Sequence, residues 1–179
     1  NNEGIKNAIV RLRGSDSADV TTPANGSYTF NNISENGNFT ISVLKNTDPK
    51  NGIDLLDLAL LQDHIITRTV LTDPFKLLAA DINRDGAIDI LDLAELQDLI
   101  LTRISAFVNN TSWIFIPTDE TLTATKVFNR TYRTTRVYTN PGTSQINQDF
   151  YGVKIGDIDA SASTQTLVTS DQKISSKIE

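Results

Sequence analysis

Apolar and polar residues alternate with period two from residue 5 to about residue 45. They then recur with a helical period from 53 to 103, and return to short alternating runs from Trp113. The first region reads as strands at 5–12, 20–22, 28–30 and 39–44, punctuated by Gly14, the Asn25-Gly26 turn and Gly37, which predicts a small antiparallel sheet. In the second region, Leu56, Ala59, Leu60 and Ile66 fall on one helix, and Leu93, Leu96, Ile100 and Leu101 on another, each of about four turns. Between them Asp73-Pro74 predicts a capped helical turn through Leu77-Leu78, because proline is tolerated at the first helical position. The last region predicts strands at 113–116, 126–128, 136–138 and 150–153, followed by a polar, frayed tail after Ser161.

A shift of about 35 residues lays Leu56-Asp57-Leu58-Ala59 on Leu91-Asp92-Leu93-Ala94, Leu61-Gln62-Asp63 on Leu96-Gln97-Asp98 and Thr67-Arg68 on Thr102-Arg103. Such a duplicated loop-helix unit cannot bury its apolar stripe alone, so the two copies are expected to pack on each other about a pseudo-twofold axis. The expected fold is α+β: a small antiparallel β-sandwich at 1–45, a pair of EF-hand-like loop-helix repeats at 46–104, a β-rich segment at 105–160 that packs back, and a polar tail at 161–179.

The second copy carries chemistry. Asp81, Asn83, Asp85, Gly86, Ala87, Asp89 and Asp92 occupy positions 1, 3, 5, 6, 7, 9 and 12 of a D-x-[DN]-x-[DN]-G calcium loop, with Asp in place of the final Glu. Alternate side chains of such a turning loop converge on one point, Gly86 supplies the turn, and Ala87 offers its carbonyl. Between Asp81 and Asp98 five aspartates and Glu95 stand against Arg84 alone, so the stretch repels itself until a cation is bound. An Asp-Gly turn followed by an Asp cap is the bland alternative, and it leaves Asp81, Asn83 and Asp89 without a reason. In the first copy the aligned loop reads Asn46, Asp48, Lys50, Asn51, Gly52, Asp54 and Asp57. Lys50 stands where an oxygen donor belongs, so this loop is either a weaker calcium site or a degenerate loop held by an Asp57 cap. One Ca2+ is expected, with a second conceivable.

The remaining composition narrows the classes. The formal charge is −6, from 22 acidic and 16 basic residues, so no electrostatic footprint for nucleic acid or anionic lipid is present. No apolar run approaches the roughly 20 residues that cross a bilayer. Asn1 opens on polar sequence without a leader, and the expectation is a mature protein or an excised segment. Cysteine is absent, which removes disulfides and thiolate chemistry. His64 is the single histidine and sits mid-helix, which favours a surface or core-rim role, and no catalytic triad or phosphate loop occurs; the chain is not expected to be an enzyme. Asp157 and Asp159 either add oxygens to an ion or, the plainer reading, close the last strand in solvent.

On the two loop-helix units and their linking turn, residues 46–103 resemble a dockerin, the calcium-binding docking domain of bacterial extracellular proteins. Val10-Arg11-Leu12, Asn25-Gly26-Ser27-Tyr28-Thr29-Phe30 and Asn38-Phe39-Thr40-Ile41 look like a Cna-B or carboxypeptidase-regulatory β-sandwich module, and Gly152-Val153-Lys154-Ile155-Gly156-Asp157 is similar to C-terminal stretches that accompany such repeats in surface proteins. The resemblance implies secretion or surface display, non-catalytic anchoring, and a cohesin-like partner. Its recognition positions fall on Leu55, Leu56, Gln62 and Asp63 in one copy and on Ile90, Leu91, Gln97 and Asp98 in the other. There this chain has apolar pairs where dockerins tend to have small hydroxyl residues. Burial of those pairs against the flanking strands is the more economical expectation, since exposed apolar patches invite aggregation. The leading expectation is therefore a calcium-stabilised structural module, with a docking module second and a glycan-binding module built on Trp113 and the tyrosines third. Exposure of Leu55, Leu56, Ile90 and Leu91 separates the first two.

Overall fold

The structure is a computed structural model that describes residues 4–34, 36–143, 145–162, 173–174 and 176–178. It contains both helices and antiparallel sheets. Strand β1 (Ile9–Gly14) pairs antiparallel with β2 (Ala18–Thr21) on one side and with β4 (Asn38–Leu44) on the other. Strand β3 (Tyr28–Phe30) lies between β2 and β4 in sequence but outside this sheet. After the repeat come β5 (Trp113–Pro117), the helix α4 (Ala124–Asn129), β6 (Thr135–Thr139) and β7 (Phe150–Lys154). The first sheet runs β2-β1-β4-β6, so a strand from beyond the repeat completes it, with Phe39 opposite Tyr138 and Ile41 opposite Arg136. The expected frayed tail lies outside the described residues from 163 to 172. Beyond it, β8 (Lys173–Ile174) pairs with β7 and β9 (Ser176–Ile178) runs parallel to β3.

β5 pairs antiparallel with β7 and forms a middle layer. Because side chains alternate across a strand, Trp113 and Phe115 join Val10, Leu12, Phe39 and Ile41 of the first sheet, while Ile114 and Ile116 join the helices. This accounts for the unbroken apolar run Trp113-Ile114-Phe115-Ile116: a strand covered on both faces has no polar side to present. Trp113 is 2% exposed and Tyr28 3%, so neither offers the open aromatic platform that the glycan reading required.

Helices α1 (Leu55–Ile65), α2 (Pro74–Ala80) and α3 (Ile90–Ile100) form the third layer around Leu61, Leu78, Leu96 and Leu99. Asp73 caps α2 by accepting from the Phe75 N–H at 2.8 Å, with Pro74 at the first position, as the sequence predicts. α1 and α3 have 11 residues each, about three turns and not four. They stop where Thr67 and Thr102 enter the left-handed region, both at φ 59°, which lets the Arg68 and Arg103 N–H groups donate to the Asp63 and Asp98 carbonyls at 2.8 Å. The segment 126–128, expected as a strand, lies in α4. The Thr123 hydroxyl caps it by accepting from the Lys126 N–H at 3.2 Å, Val127 turns into the core, and Arg130 ends it in the left-handed conformation. Three apolar-leaning residues are too few for periodicity to separate helix from strand.

The apolar pairs correct a second expectation. Leu55 is 69% and Leu56 53% exposed, and Ile90 and Leu91 are 62% and 59% exposed; the flanking strands do not cover them. At about 100° per residue, the pair precedes an aspartate that is drawn inward, Asp57 or Asp92, and so faces away from the core.

Candidate metal centres

Asp81 emerges from the C-terminal end of α2 and Asp92 stands on the first turn of α3; both are buried. Asp92 Oδ1 accepts from the N–H groups of Ile82 (2.7 Å) and Asn83 (3.0 Å), and Oδ2 accepts from Asp89 at 2.9 Å. Asp81 Oδ1 accepts from Asp85 at 3.1 Å, and Asp85 Oδ1 from Ala87 at 2.9 Å. Asn83 Nδ2 donates to Asp85 Oδ2 at 2.8 Å. Asp89 caps α3 by accepting from the Leu91 N–H at 2.8 Å. The six expected donors thus lie on one tight loop, with Arg84 at φ 60° and Gly86 at φ 90° making its turns. A Cβ at Gly86 would fall 2.3 Å from the Phe128 carbonyl oxygen, so α4 seals the loop against anything larger than glycine. Burial raises the Asp81 carboxyl to about 6, reinforced by the charges of Asp92 and Asp85, and burial likewise raises Asp92.

The first copy is arranged differently. Asn46 Oδ1 accepts from the Ser112 N–H at 2.8 Å and so ties the repeat to the start of β5. Lys50 Nζ reaches the Ile100 carbonyl at 3.4 Å, at the C-terminal end of α3, where a cation suits the helix dipole. Asp48 is exposed at φ 53°. Asp54 caps α1, accepting from Leu56 at 2.6 Å. Asp57 is fully buried, and its Oδ1 accepts from Ile158 at 2.6 Å and from Asp159 at 3.2 Å, more than 100 residues away in the chain. Its Oδ2 accepts from Asp54 at 2.9 Å.

Asp157, one of the pair expected in solvent, is 5% exposed; Gly156, at φ 86°, donates its N–H to the Ala79 carbonyl at 2.9 Å and carries the chain into the core. Carboxylate oxygens of Asp57, Asp157 and Asp159 all lie within 4.8 Å of one another. Burial raises Asp157 to about 7 and also raises Asp57. Nearby Lys154 is buried and pushed down to about 7; its ammonium donates to the Pro49 and Ile155 carbonyls, at 2.8 and 2.9 Å. Among the described residues no ion pair reaches Asp57, Asp81, Asp92 or Asp157. The converging carboxylates of Asp57, Asp157 and Asp159, and the oxygen-rich loop from Asp81 to Asp92, are donor sets of the kind a hard divalent cation takes.

The other expected recognition residues keep the repeat's symmetry. Gln62 and Gln97 are exposed, while Asp63 and Asp98 pair with Arg68 and Arg103, each at 3.0 Å. His64 Nδ1 accepts from the Leu71 N–H at 3.0 Å and orders the linker. No described helix is long and apolar enough to cross a membrane.

Residues 47–101 match the family model of the dockerin type I domain, a family of calcium-binding, non-catalytic docking modules that occur in extracellular cellulosome proteins. No curated protein and no solved structure matches the chain.

Proposed function

We propose that this chain is a calcium-dependent docking module of a secreted or surface-displayed protein, which presents α1 and α3 to a cohesin-like partner. One observation carries the reading. Among the described residues, where other large hydrophobics such as Val108 and Val137 are exposed singly, Leu55-Leu56 and Ile90-Leu91 are exposed as adjacent pairs at matching places on two nearly identical helices. Four large aliphatic side chains on a folded surface mark an interaction face more readily than a structural one. Gln62 and Gln97, about two turns beyond Leu55 and Ile90 on each helix, supply polar groups of the kind that rim an interface.

Calcium acts through Asp81, Asn83, Asp85, the Ala87 carbonyl, Asp89 and Asp92. The ion offsets most of the loop's negative charge and fixes the start of α3, and with it the direction of Ile90 and Leu91. Because the copies match, either helix can lead the contact. The chain's own residues only bind and orient; no step of chemistry is assigned to them.

The test is binding of the full chain to an immobilised panel of type I cohesin domains, in calcium and in chelator. Calcium-dependent capture, lost when both pairs are changed together (Leu55→Asp, Leu56→Asp, Ile90→Asp, Leu91→Asp), is expected. Absence of binding across the panel, or binding indifferent to that variant, overturns the docking reading.

A further inference from the structure

The first loop does not gather its three opening positions: Asn46 and Lys50 are engaged elsewhere and Asp48 faces solvent. The segment 157–162 stands in that place. Asp157-Ile158-Asp159-Ala160-Ser161 repeats the spacing of Asp81-Ile82-Asn83-Arg84-Asp85, with an oxygen side chain at the first, third and fifth positions.

The local structure repeats with it. Ile158 and Asp159 donate to Asp57 Oδ1 as Ile82 and Asn83 donate to Asp92 Oδ1. Ser161 donates to Asp157 Oδ1 at 2.9 Å as Asp85 donates to Asp81 Oδ1. Ala160 takes φ 64° where Arg84 takes φ 60°. The junction is tight: the Ser161 hydroxyl donates to the Gly52 carbonyl at 3.0 Å, and a Cβ on Gly52, at φ 75°, would fall 2.2 Å from Ala162 Cα. Gly52 holds the position that Ala87 holds in the second copy, so its carbonyl is the equivalent main-chain donor. Asp57 closes the set from the first turn of α1.

We propose that the first calcium site is a split loop, in which Asp157, Asp159 and Ser161 supply the opening donors and Gly52 and Asp57 the closing ones. The inference rests on the calcium reading of the repeat. Its independent support is that Asp57, inside the segment that matches a calcium-binding family, meets two carboxylates from outside that segment within 4.8 Å. The ion at this site joins two parts of the chain about 100 residues apart, and so ties the docking helices to the sheets. Lys154 is the competing cation. Its ammonium is held by two carbonyls, so its charge reaches these carboxylates from a distance and leaves their oxygens to an ion.

Calorimetric titration of the chelated full chain with calcium alone is the test. Two ions per chain are expected. Asp157→Asn, which keeps the side chain's shape, should leave one, as should the milder Asp159→Asn if the first variant folds poorly. Asp92→Asn should remove the other ion, while Asp48→Asn and Lys50→Gln should leave both. Two ions retained in both Asp157→Asn and Asp159→Asn, or a single ion in the unaltered chain that only Asp92→Asn removes, overturns the split site and leaves the second loop standing. No binding at all would instead overturn the calcium reading itself.

Discussion

The N–H of Ile158 donates to Asp57 Oδ1 at 2.6 Å, joining the segment after β7 to the first turn of α1 through a fully buried carboxylate. In the second copy the same bond runs from Ile82 to Asp92 at 2.7 Å, within one loop. One repeat is therefore closed locally and the other by the far end of the domain, and several measurable properties depend on that asymmetry.

Calcium should raise thermal stability well beyond what a surface ion does. A ligand that binds only the folded state stabilises by RT ln(1 + [L]/Kd), about 2.7 kcal/mol for each site at 100 times Kd. Differential scanning calorimetry in calcium and in chelator checks this, and a melting temperature that ignores chelator contradicts it.

The exposed pairs should be dispensable for folding. Replacing Leu55 and Leu56, or Ile90 and Leu91, by serine should change stability by no more than about 0.5 kcal/mol per residue, the range usual for surface sites, while weakening partner binding. Urea unfolding of the variants beside the same binding assay separates the two effects. A loss of several kcal/mol would mean that the pairs are covered in solution.

The strands on either side of the repeat should unfold as one unit, because β6 completes the first sheet and Trp113 and Phe115 lie beneath it. Phe115→Ala should cost about 3–5 kcal/mol, as for a buried aromatic. Removal of residues 1–44 should uncover the single tryptophan and shift its fluorescence to the red, with aggregation on size-exclusion chromatography. A monomeric fragment with unshifted emission would separate the two halves.

The calcium-free protein should lose stability as pH rises from 5 to 6.5. Asp81 and Asp157 are raised in the folded state, to about 6 and about 7, above their unfolded values near 3.9. Their contribution is complete below the unfolded value and is lost as pH climbs through the folded one. Lys154, lowered to about 7, acts with the opposite sign above that pH, which confines the test to the lower window. Melting in chelator at pH 5 and 6.5 reads the difference; a higher melting temperature at 6.5 would contradict it.

The sequence made the repeat, the second loop and most strands legible because each carries a local signature: period 3.6, alternate oxygens around Gly86, or alternation bounded by Asn25-Gly26. It did not reveal which sheet each strand joins. Nothing local in Arg136-Val137-Tyr138 points to β4, since strand partners are fixed by long-range packing. Lys126-Val127-Phe128 was too short for its period to show. Leu55-Leu56 read as buried because apolarity alone does not say which way a helix turns, whereas Asp57, drawn in by Ile158, decides it. The Asp-x-Asp-x-Ser spacing at Asp157 was visible throughout. No contiguous motif carries it, because its closing half lies at Gly52 and Asp57, about 100 residues earlier in the chain.

Anomalous scattering from crystals of the calcium-loaded full chain tests the central claim most directly, because it places each ion against named side chains. The account predicts two peaks, one enclosed by Asp81, Asp85 and Asp92 and one by Asp57, Asp157 and Gly52. Calcium-saturated crystals with no peak at either set, or with ions only on exposed carboxylates such as Asp48, would contradict it.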